Sequence, residues 1–324
     1  MSDENPVIPE SLRPDPDDYS FDLLQRLDSI VSVRTRIPDH AMTAPMLGTE
    51  RAGHGVVIND EGLVVTIGYV ITEADSVWLV TNTGVTLQAH VVGYDQQSGF
   101  GLVQALGKLD ISPVTLGNSG TVGLGQRMLV AGSGGIEHCT RVLVSGIREF
   151  AGYWEYLLQR AFFTSPAHPF WGGTALLGEN GNLYGIGSLI VQAVDSEGQE
   201  TSVNMMIPID ELTPILDELI LYGRRNEPPR PWMGWFVQDT ETGPVVAGVV
   251  DSGPAESAGL ASGDEIVSIN DESVADLASV HRAVWAAGEA GTRINVAWIR
   301  EGEQQQGTVS TADRNTRMSS ASVH

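Results

Sequence analysis

The sequence predicts a mainly β fold, and three observations support this. The chain holds 37 glycines among its 324 residues, which suits a protein with many tight turns. Short apolar runs alternate with turn-forming residues up to about residue 207. Two of the turns, residues 82–84 (NTG) and 179–182 (ENGN), have the composition of hairpin connections. We therefore expect short antiparallel strands through most of the chain.

The first segments introduce a domain that we expect to span residues 19–222. Residues 1–18 carry four prolines and six acidic residues, a composition that predicts disorder. Apolar residues recur at helical spacing over residues 19–30, which predicts a short helix. Residues 29–36 are typical of a first strand.

Later segments interrupt the strand pattern. Residues 151–160 are rich in aromatic side chains and are expected either to shape a partner site or to close over the cleft of the first domain. Residues 208–222 have the pattern of an amphipathic helix. A proline-rich linker is expected over residues 223–231, a second domain over 232–312, and a disordered polar tail over 313–324.

Several motifs of the first domain occur in the order known from one protease family. They are residues 53–66 (GHGVVINDEGLVVT), 91–95 (VVGYD), 113–119 (PVTLGNS), 145–147 (SGI) and 167–177 (AHPFWGGTALL). These runs resemble the high-temperature-requirement A (HtrA/Deg) family of trypsin-like serine proteases. The resemblance implies a chymotrypsin-like double six-stranded β-barrel, followed by a PDZ domain.

The positions that carry catalysis in that family hold other residues here. By the resemblance, the triad histidine falls on Tyr69, the aspartate on Gly99 and the serine on Trp171. A tyrosine is a poor general base at neutral pH, a glycine cannot orient an imidazole, and an indole cannot form an acyl-enzyme. A glycine of the oxyanion hole falls on Pro169, which has no backbone N–H to donate. We therefore expect a catalytically inactive pseudoprotease that is not an enzyme.

The chain after about residue 230 resembles a PDZ domain. Residues 249–255 (VVDSGPA), 258–260 (AGL) and 263–266 (GDEI) match the core of such a domain. The resemblance places a carboxylate-binding loop at residues 232–237 (WMGWFV), followed by a strand that accepts a peptide as an extra strand. A helix over residues 276–287 should flank the groove. The expected peptide-binding residues are Met233, Gly234, Trp235, Phe236, Val237, Val280 and Val284.

The groove has a second interpretation, in which the protein's own linker or loops fill it. Trp232 and Trp235 are bulky enough to close it. Both interpretations stay open at this point.

Composition and charge limit the classes of partner and location. The formal net charge is -23, and an acidic surface of this kind repels nucleic acids and anionic membranes. No apolar run is long enough to span a membrane, and the first residues (MSDENP) lack the basic and apolar regions of a secretory signal. Cys139 is alone and cannot form an internal disulfide. We expect a cytoplasmic, bacterial protein.

A different class of function would use Cys139, His138 and His168. The resemblance places the loops that carry these residues beside the former active site. They could serve an atypical hydrolase or, together with His54, bind a metal ion. Their spacing matches no metal motif, so neither a metal nor a cofactor is predicted.

The sequence therefore favours function by binding. The expected role is an adaptor, a chaperone or a structural subunit, which binds a peptide C-terminus or an exposed strand of a protein partner. A cleft plugged by Phe170 and Trp171 would add a docking surface. A homo-oligomer (a trimer), a hetero-complex and co-assembly with an active relative remain open.

Overall fold

A computed structural model describes residues 8–153, 156–194 and 198–318, which form two compact units. The first unit contains the described residues of 8–149 and 159–225, and the second those of 150–158 and 226–318. Each unit has its own antiparallel sheets and its own core.

The first unit begins with a closed barrel in the strand order β1-β2-β3-β6-β5-β4. Its strands are β1 Ile30–Arg36, β2 Glu50–Val57, β3 Leu63–Ile67, β4 Ser76–Val80, β5 Thr86–Tyr94 and β6 Phe100–Ala105. All five residues of β3 are buried, so the side chains on both faces of this strand are covered. The predicted turn at residues 82–84 joins β4 to β5, with Gly84 at a φ of 84°.

A second closed barrel follows in the order β10-β11-β12-β9-β8-β7. Its strands are β7 Arg127–Ala131, β8 Cys139–Gly152, β9 Tyr156–Ser165, β10 Ala175–Leu177, β11 Leu183–Val194 and β12 Glu200–Pro208. Its core includes Phe162, Leu176 and Met206. The predicted turn at residues 179–182 joins β10 to β11. The double six-stranded barrel is thus confirmed.

Short helices connect these strands, and two of them differ from the sequence prediction. They are α1 Leu23–Leu27, α2 Ala44–Leu47, α3 Gly68–Ile71 and α4 Leu216–Tyr222. The helix predicted over residues 19–30 is reduced to α1, because Asp22 caps its start and β1 already begins at Ile30. The helix predicted over 208–222 is reduced to α4, because Pro208 and Pro214 lack the amide that a continuous helix needs.

The second unit contains a sheet in the order β13-β14-β15-β17-β18, with β16 paired to β15. Its elements are β13 Trp235–Thr240, β14 Gly243–Val249, α5 Pro254–Ser257, β15 Glu265–Ile269, β16 Glu272–Ser273, α6 Leu277–Ala286, β17 Arg293–Arg300 and β18 Glu303–Ser310. The carboxylate of Asp276 accepts from Ser279 N, and the Ser279 hydroxyl accepts from Asp276 N, so a capping box starts α6, the helix predicted over residues 276–287.

The two chain ends are more ordered than predicted where the structure describes them. Residues 1–7 and 319–324 lie outside the described residues. Glu10–Leu12, Pro16–Asp18 and Arg314–Thr316 form 3-10 turns. The side chain of Ile8 is buried, which holds the N-terminal segment in place. Within the described residues, no helix combines the length and the apolar character needed to cross a membrane.

Candidate functional site

The three positions matched to a catalytic triad lie close together in the first unit. Tyr69 is carried by α3, and its hydroxyl donates to the carbonyl oxygen of Ser188 over 2.9 Å. Gly99 accepts from the amide of Gly68, the neighbour of Tyr69, over 2.7 Å. A Cβ added to Gly172, the neighbour of Trp171, would lie 2.7 Å from the Tyr69 hydroxyl. The positions Tyr69, Gly99 and Trp171 therefore lie in one region of the first unit.

A buried arginine fixes the backbone of Tyr69. Arg51 Nη1 donates to the carbonyl oxygens of Tyr69 and Thr72, and Nη2 donates to the Thr43 hydroxyl. Burial lowers the pKa of Arg51 to about 10, and nearby Glu73 partly offsets this. The guanidinium stays charged at neutral pH and holds α3 against β2.

Backbone packing fixes the loop of residues 167–174. The amide of His54 donates to the carbonyl oxygen of Gly172 over 2.8 Å, and Gly173 donates to that of Gly187 over 2.8 Å. A Cβ on Gly173 would overlap the carbonyl oxygen of His54, and Gly173 has a φ of 81°. The paired glycines therefore have a structural role in this loop.

Three imidazole rings surround Phe170, in the region where the resemblance placed the loops of His138 and His168 and joined His54 to them. The ring centroids of His54, His138 and His168 lie 5.7, 5.6 and 5.9 Å from that of Phe170. Their positions in the chain have no shared spacing, so only the resemblance indicated that they lie close together, and the central position of Phe170 was not indicated. Phe170 packs among these rings, whereas Trp171 is 38% exposed. The expected plug of the cleft by both side chains is therefore only partly seen.

Burial keeps two of these histidines neutral. The pKa of His54 is lowered to about 3, first by burial and then by repulsion from His168 and His138. Its Nδ1 accepts from the amide of Ser133 over 2.9 Å. Burial also lowers the pKa of His168, whose Nδ1 accepts from the amide of Phe170 over 3.1 Å and whose Nε2 lies 3.1 Å from the carbonyl oxygen of His138. The backbone therefore occupies both nitrogens of His168.

The structure does not assemble the alternative site at Cys139, His138 and His168. Cys139 is fully buried at the start of β8, and burial raises the pKa of its thiol. A nucleophilic cysteine needs a thiolate and access to substrate, and this thiol has neither. No group of three His, Cys, Asp or Glu side chains within residues 8–153, 156–194 and 198–318 could hold a metal ion.

The second candidate site is the edge of the sheet in the second unit. β13 pairs with β14 on one side, and its other edge pairs with no strand of the described chain. Gly234 precedes β13 with a φ of 69°, and its carbonyl oxygen accepts from Val250 N over 2.8 Å. The amides of Met233 and Gly234 donate to no acceptor among the described residues. The loop thus offers backbone donors beside an open strand edge.

Most side chains expected to line the groove lie in the core instead. Met233, Trp235 and Val237 are at most 2% exposed, and Phe236 is half-buried. Val280 and Val284, which were expected to face a ligand, pack into the same core. Val280 and Val284 therefore lie on the core-facing side of α6. The next position along the helix in each case, His281 and Trp285, lies on the adjacent side.

That adjacent side of α6 is in contact with another segment of the second unit. Nε2 of His281 lies 3.0 Å from the carbonyl oxygen of Gly152, and Ala151 packs against the core. The rings of His281 and Trp285 stack at 5.0 Å, and the Arg230 guanidinium lies 4.4 Å from the Trp285 ring. Part of the flank of the groove is therefore covered by the end of β8.

Family comparisons agree with this architecture. The model of a trypsin-like peptidase domain matches residues 53–186, and that of a PDZ domain matches residues 231–311. The expected order, a trypsin-like barrel domain followed by a PDZ domain, is therefore confirmed.

Named relatives are serine proteases. A probable periplasmic DegP-like serine endoprotease of Pseudomonas fluorescens is 29% identical over 78% of this chain and 54% of its own length. A Do-like HtrA serine protease of Lactobacillus helveticus is 28% identical over 79% of this chain and 67% of its own. The chain thus spans about half the length of the Pseudomonas relatives that it matches.

Solved structures show the same fold. An HtrA-type protease AlgW with a tripeptide has a TM-score of 0.53 at 22% identity, covering 92% of this chain and 97% of its own. The same protease with a decapeptide has a TM-score of 0.52 at 22% identity, covering 89% and 96%.

Two expectations from the sequence are corrected by these comparisons. The conclusion that the chain is not an enzyme is contradicted, because its relatives are named serine endoproteases and the matched domain is a peptidase domain. The cytoplasmic location is contradicted as well, because the Pseudomonas relatives are named periplasmic.

Proposed function

We propose that this HtrA-type protein binds polypeptides by adding their C-terminal segment as an extra strand to β13. The observation that carries the proposal is the open edge of β13 beside the unbonded amides of Met233 and Gly234. Main-chain hydrogen bonds along such an edge bind extended peptides, and loop amides bind a terminal carboxylate.

The surrounding residues support this role. Leu277 N donates to Asp239 Oδ1 over 2.6 Å, which fixes the start of α6 against β13. The buried side chains of Trp235 and Val237 anchor β13 in the core, so the strand edge is presented by a rigid element. A preformed edge lowers the entropic cost of binding.

In the cell, the proposed role is that of an adaptor or chaperone for extended protein segments in the periplasm, the location named for the Pseudomonas relatives. The same proposal includes assembly of this chain into a trimer or into a complex with a protein partner. The proposed domain limits are residues 19–222 and 232–312.

A panel of twenty fluorescent decapeptides that differ in their C-terminal residue tests the proposal by fluorescence polarisation. We expect saturable binding of a subset. Gly234→Ala should weaken that binding at least tenfold, because a Cβ there lies 2.8 Å from Pro254 Cδ and distorts the loop. Gly259→Ala is the matched control, with a positive φ of 91° and nothing within 4 Å of its added Cβ. Absence of binding by all twenty peptides would refute the proposal.

Peptide-bond hydrolysis is a second candidate, favoured by the names of the relatives. Trp171 carries no hydroxyl or thiol, so hydrolysis at this cleft would need a nucleophile from another group. Cleavage of an unfolded casein substrate, followed by mass spectrometry of the fragments, tests this candidate independently of peptide affinity.

A further inference from the structure

The strand β18 is the last strand of the sheet in the second unit, at the opposite end from β13. Its eight residues pair with β17 in one continuous register, without a bulge. No other strand of the described chain pairs with β18, and no described loop makes a backbone hydrogen bond to it. The second unit therefore has two open strand edges, and the proposed function uses only the one at β13.

The direction of the unused backbone groups of β18 follows from the two residues after it. The amide of Thr311 donates to the carbonyl oxygen of Thr292, on the β17 side, over 3.0 Å. Ala312 faces the other way and exchanges two backbone hydrogen bonds with Trp232. Because these groups alternate in direction along an antiparallel strand, the even-numbered residues of β18 direct theirs away from β17. Those in the middle of the strand, all with exposed side chains, are Gln304, Gln306 and Thr308.

β18 lacks the features that usually protect an edge strand from pairing with another chain. Protected edges are short, carry lysine or proline, or are twisted away by a bulge. β18 is eight residues long (EQQQGTVS), contains no lysine, arginine or proline, and has no register shift against β17. The strand β13, by comparison, has a register shift between Phe236 and Val237. The β18 edge is therefore the more regular of the two edges.

The charges around β18 favour a second copy of the same strand in the antiparallel direction. Glu301 and Glu303 lie at the turn where the strand begins, whereas Arg314 and Arg317 follow its end. Two other charged side chains at these ends are already engaged, Arg300 with Asp264 and Asp313 with Asn315 N. Antiparallel pairing brings the acidic turn of each copy towards the basic end of the other. The middle of the strand carries no charge, so no like charges meet there.

We propose that β18 pairs with β18 of a second copy of this chain, antiparallel and around a two-fold axis at Gln306. Gln304 of one copy then exchanges backbone hydrogen bonds with Thr308 of the other, and the two Gln306 residues lie opposite each other. The two sheets become one continuous sheet. Since β13 is at the far edge, each copy keeps its peptide-binding edge open.

Sedimentation velocity of the full chain, from about 1 to about 100 µM, tests this pairing, because an edge contact of this size is a weak interface. We expect the mass of the dominant species to double over this range. Gln306→Lys and Gln306→Glu should each associate at least about 10-fold more weakly, since two like charges then lie opposite each other. An equimolar mixture of the two variants should associate again, because opposite charges then meet at the axis.

Gln88→Lys is the matched control, because Gln88 is exposed on β5, which has a neighbouring strand on both sides. It should associate like the unaltered protein. Gln306→Pro removes an amide that has no partner within the chain, so this variant should fold and fail to associate. If it does not fold, the two charge variants decide the test.

Three results would overturn the inference. They are a mass that does not change with concentration, equal association of the Gln306 variants and the unaltered protein, and a mixture of the charge variants that does not associate. Peptide binding at β13 should be the same in the Gln306 variants and in Gln88→Lys. The pairing of β18 and the proposed function can therefore fail independently.

Discussion

Asp95 and Arg225 form a bidentate ion pair that joins the end of α4 to the first barrel. Nε and Nη2 of Arg225 donate to Oδ1 and Oδ2 of Asp95, each over 2.8 Å. The Asp95 side chain is 4% exposed and that of Arg225 is 22% exposed. The amide of Ser98 also donates to Asp95 Oδ2 over 2.9 Å, so the carboxylate has several partners.

Arg225→Met should destabilise the protein by about 3–5 kcal/mol, because it leaves the buried Asp95 carboxylate without its counter-charge. Urea unfolding at pH 7 measures this as a lower midpoint. Arg224→Met is the control at an exposed neighbour and should change stability by less than about 0.5 kcal/mol. Equal midpoints for the two variants would show that the pair contributes nothing.

Acid should destabilise the fold through His54. Its pKa in the folded state is about 3, against an ordinary value of 6.5. Between these values the unfolded chain binds a proton that the folded chain does not. The contribution of His54 to the free energy of unfolding is therefore fully present above pH 6.5. It falls as the pH drops towards 3, by at most about 1.4 kcal/mol per pH unit.

His54→Gln should reduce this slope, which urea midpoints at pH 7, 6, 5 and 4 would show. His90→Gln is the control, because His90 is exposed on β5. His281, with a pKa lowered to about 4 by burial, contributes in the same direction and should remain in both variants. A pH slope that is the same for His54→Gln and the unaltered protein would contradict the assignment.

Gly173→Ala should unfold or strongly destabilise the first unit, by at least about 2–3 kcal/mol. A Cβ there overlaps the His54 carbonyl oxygen, in addition to the cost of the positive φ. Gly125→Ala has a similar φ of 73° but open space, so it should cost only about 1–2 kcal/mol. Thermal melts of the two variants give the comparison, and equal melting temperatures would remove the steric argument.

Cys139 should resist alkylation in the native protein. Its thiol is fully buried and its pKa is raised, so the reactive thiolate does not form at neutral pH. After treatment with iodoacetamide at pH 8, intact mass measurement should show no adduct on the native protein. In about 8 M urea, which unfolds the chain, it should show one adduct. Rapid labelling of the native chain would restore Cys139 as a candidate nucleophile.

The barrels and the second domain could be predicted because their signals are local. Glycine-rich turns, apolar strands and the Asp276–Ser279 box at α6 each act over a few residues. The packing of His54, His138 and His168 around Phe170 has no local signal, because it joins β2, the turn before β8 and the loop before β10, which only the folded barrels bring together. Arg314 was assigned to a disordered tail, because the pairing of Ala312 with Trp232 is a contact between distant parts of the chain.

The glycines around the loop of residues 171–174 constrain its main chain without involving the side chain at position 171. Cβ atoms at Gly53, Gly173 and Gly187 would each meet backbone of this loop or of His54. The path of the main chain is thus constrained from three sides, while the indole of Trp171 extends partly into solvent. A different side chain at position 171 should therefore leave the path of the loop unchanged, so the shape of this loop and the chemistry that it carries are set by different residues.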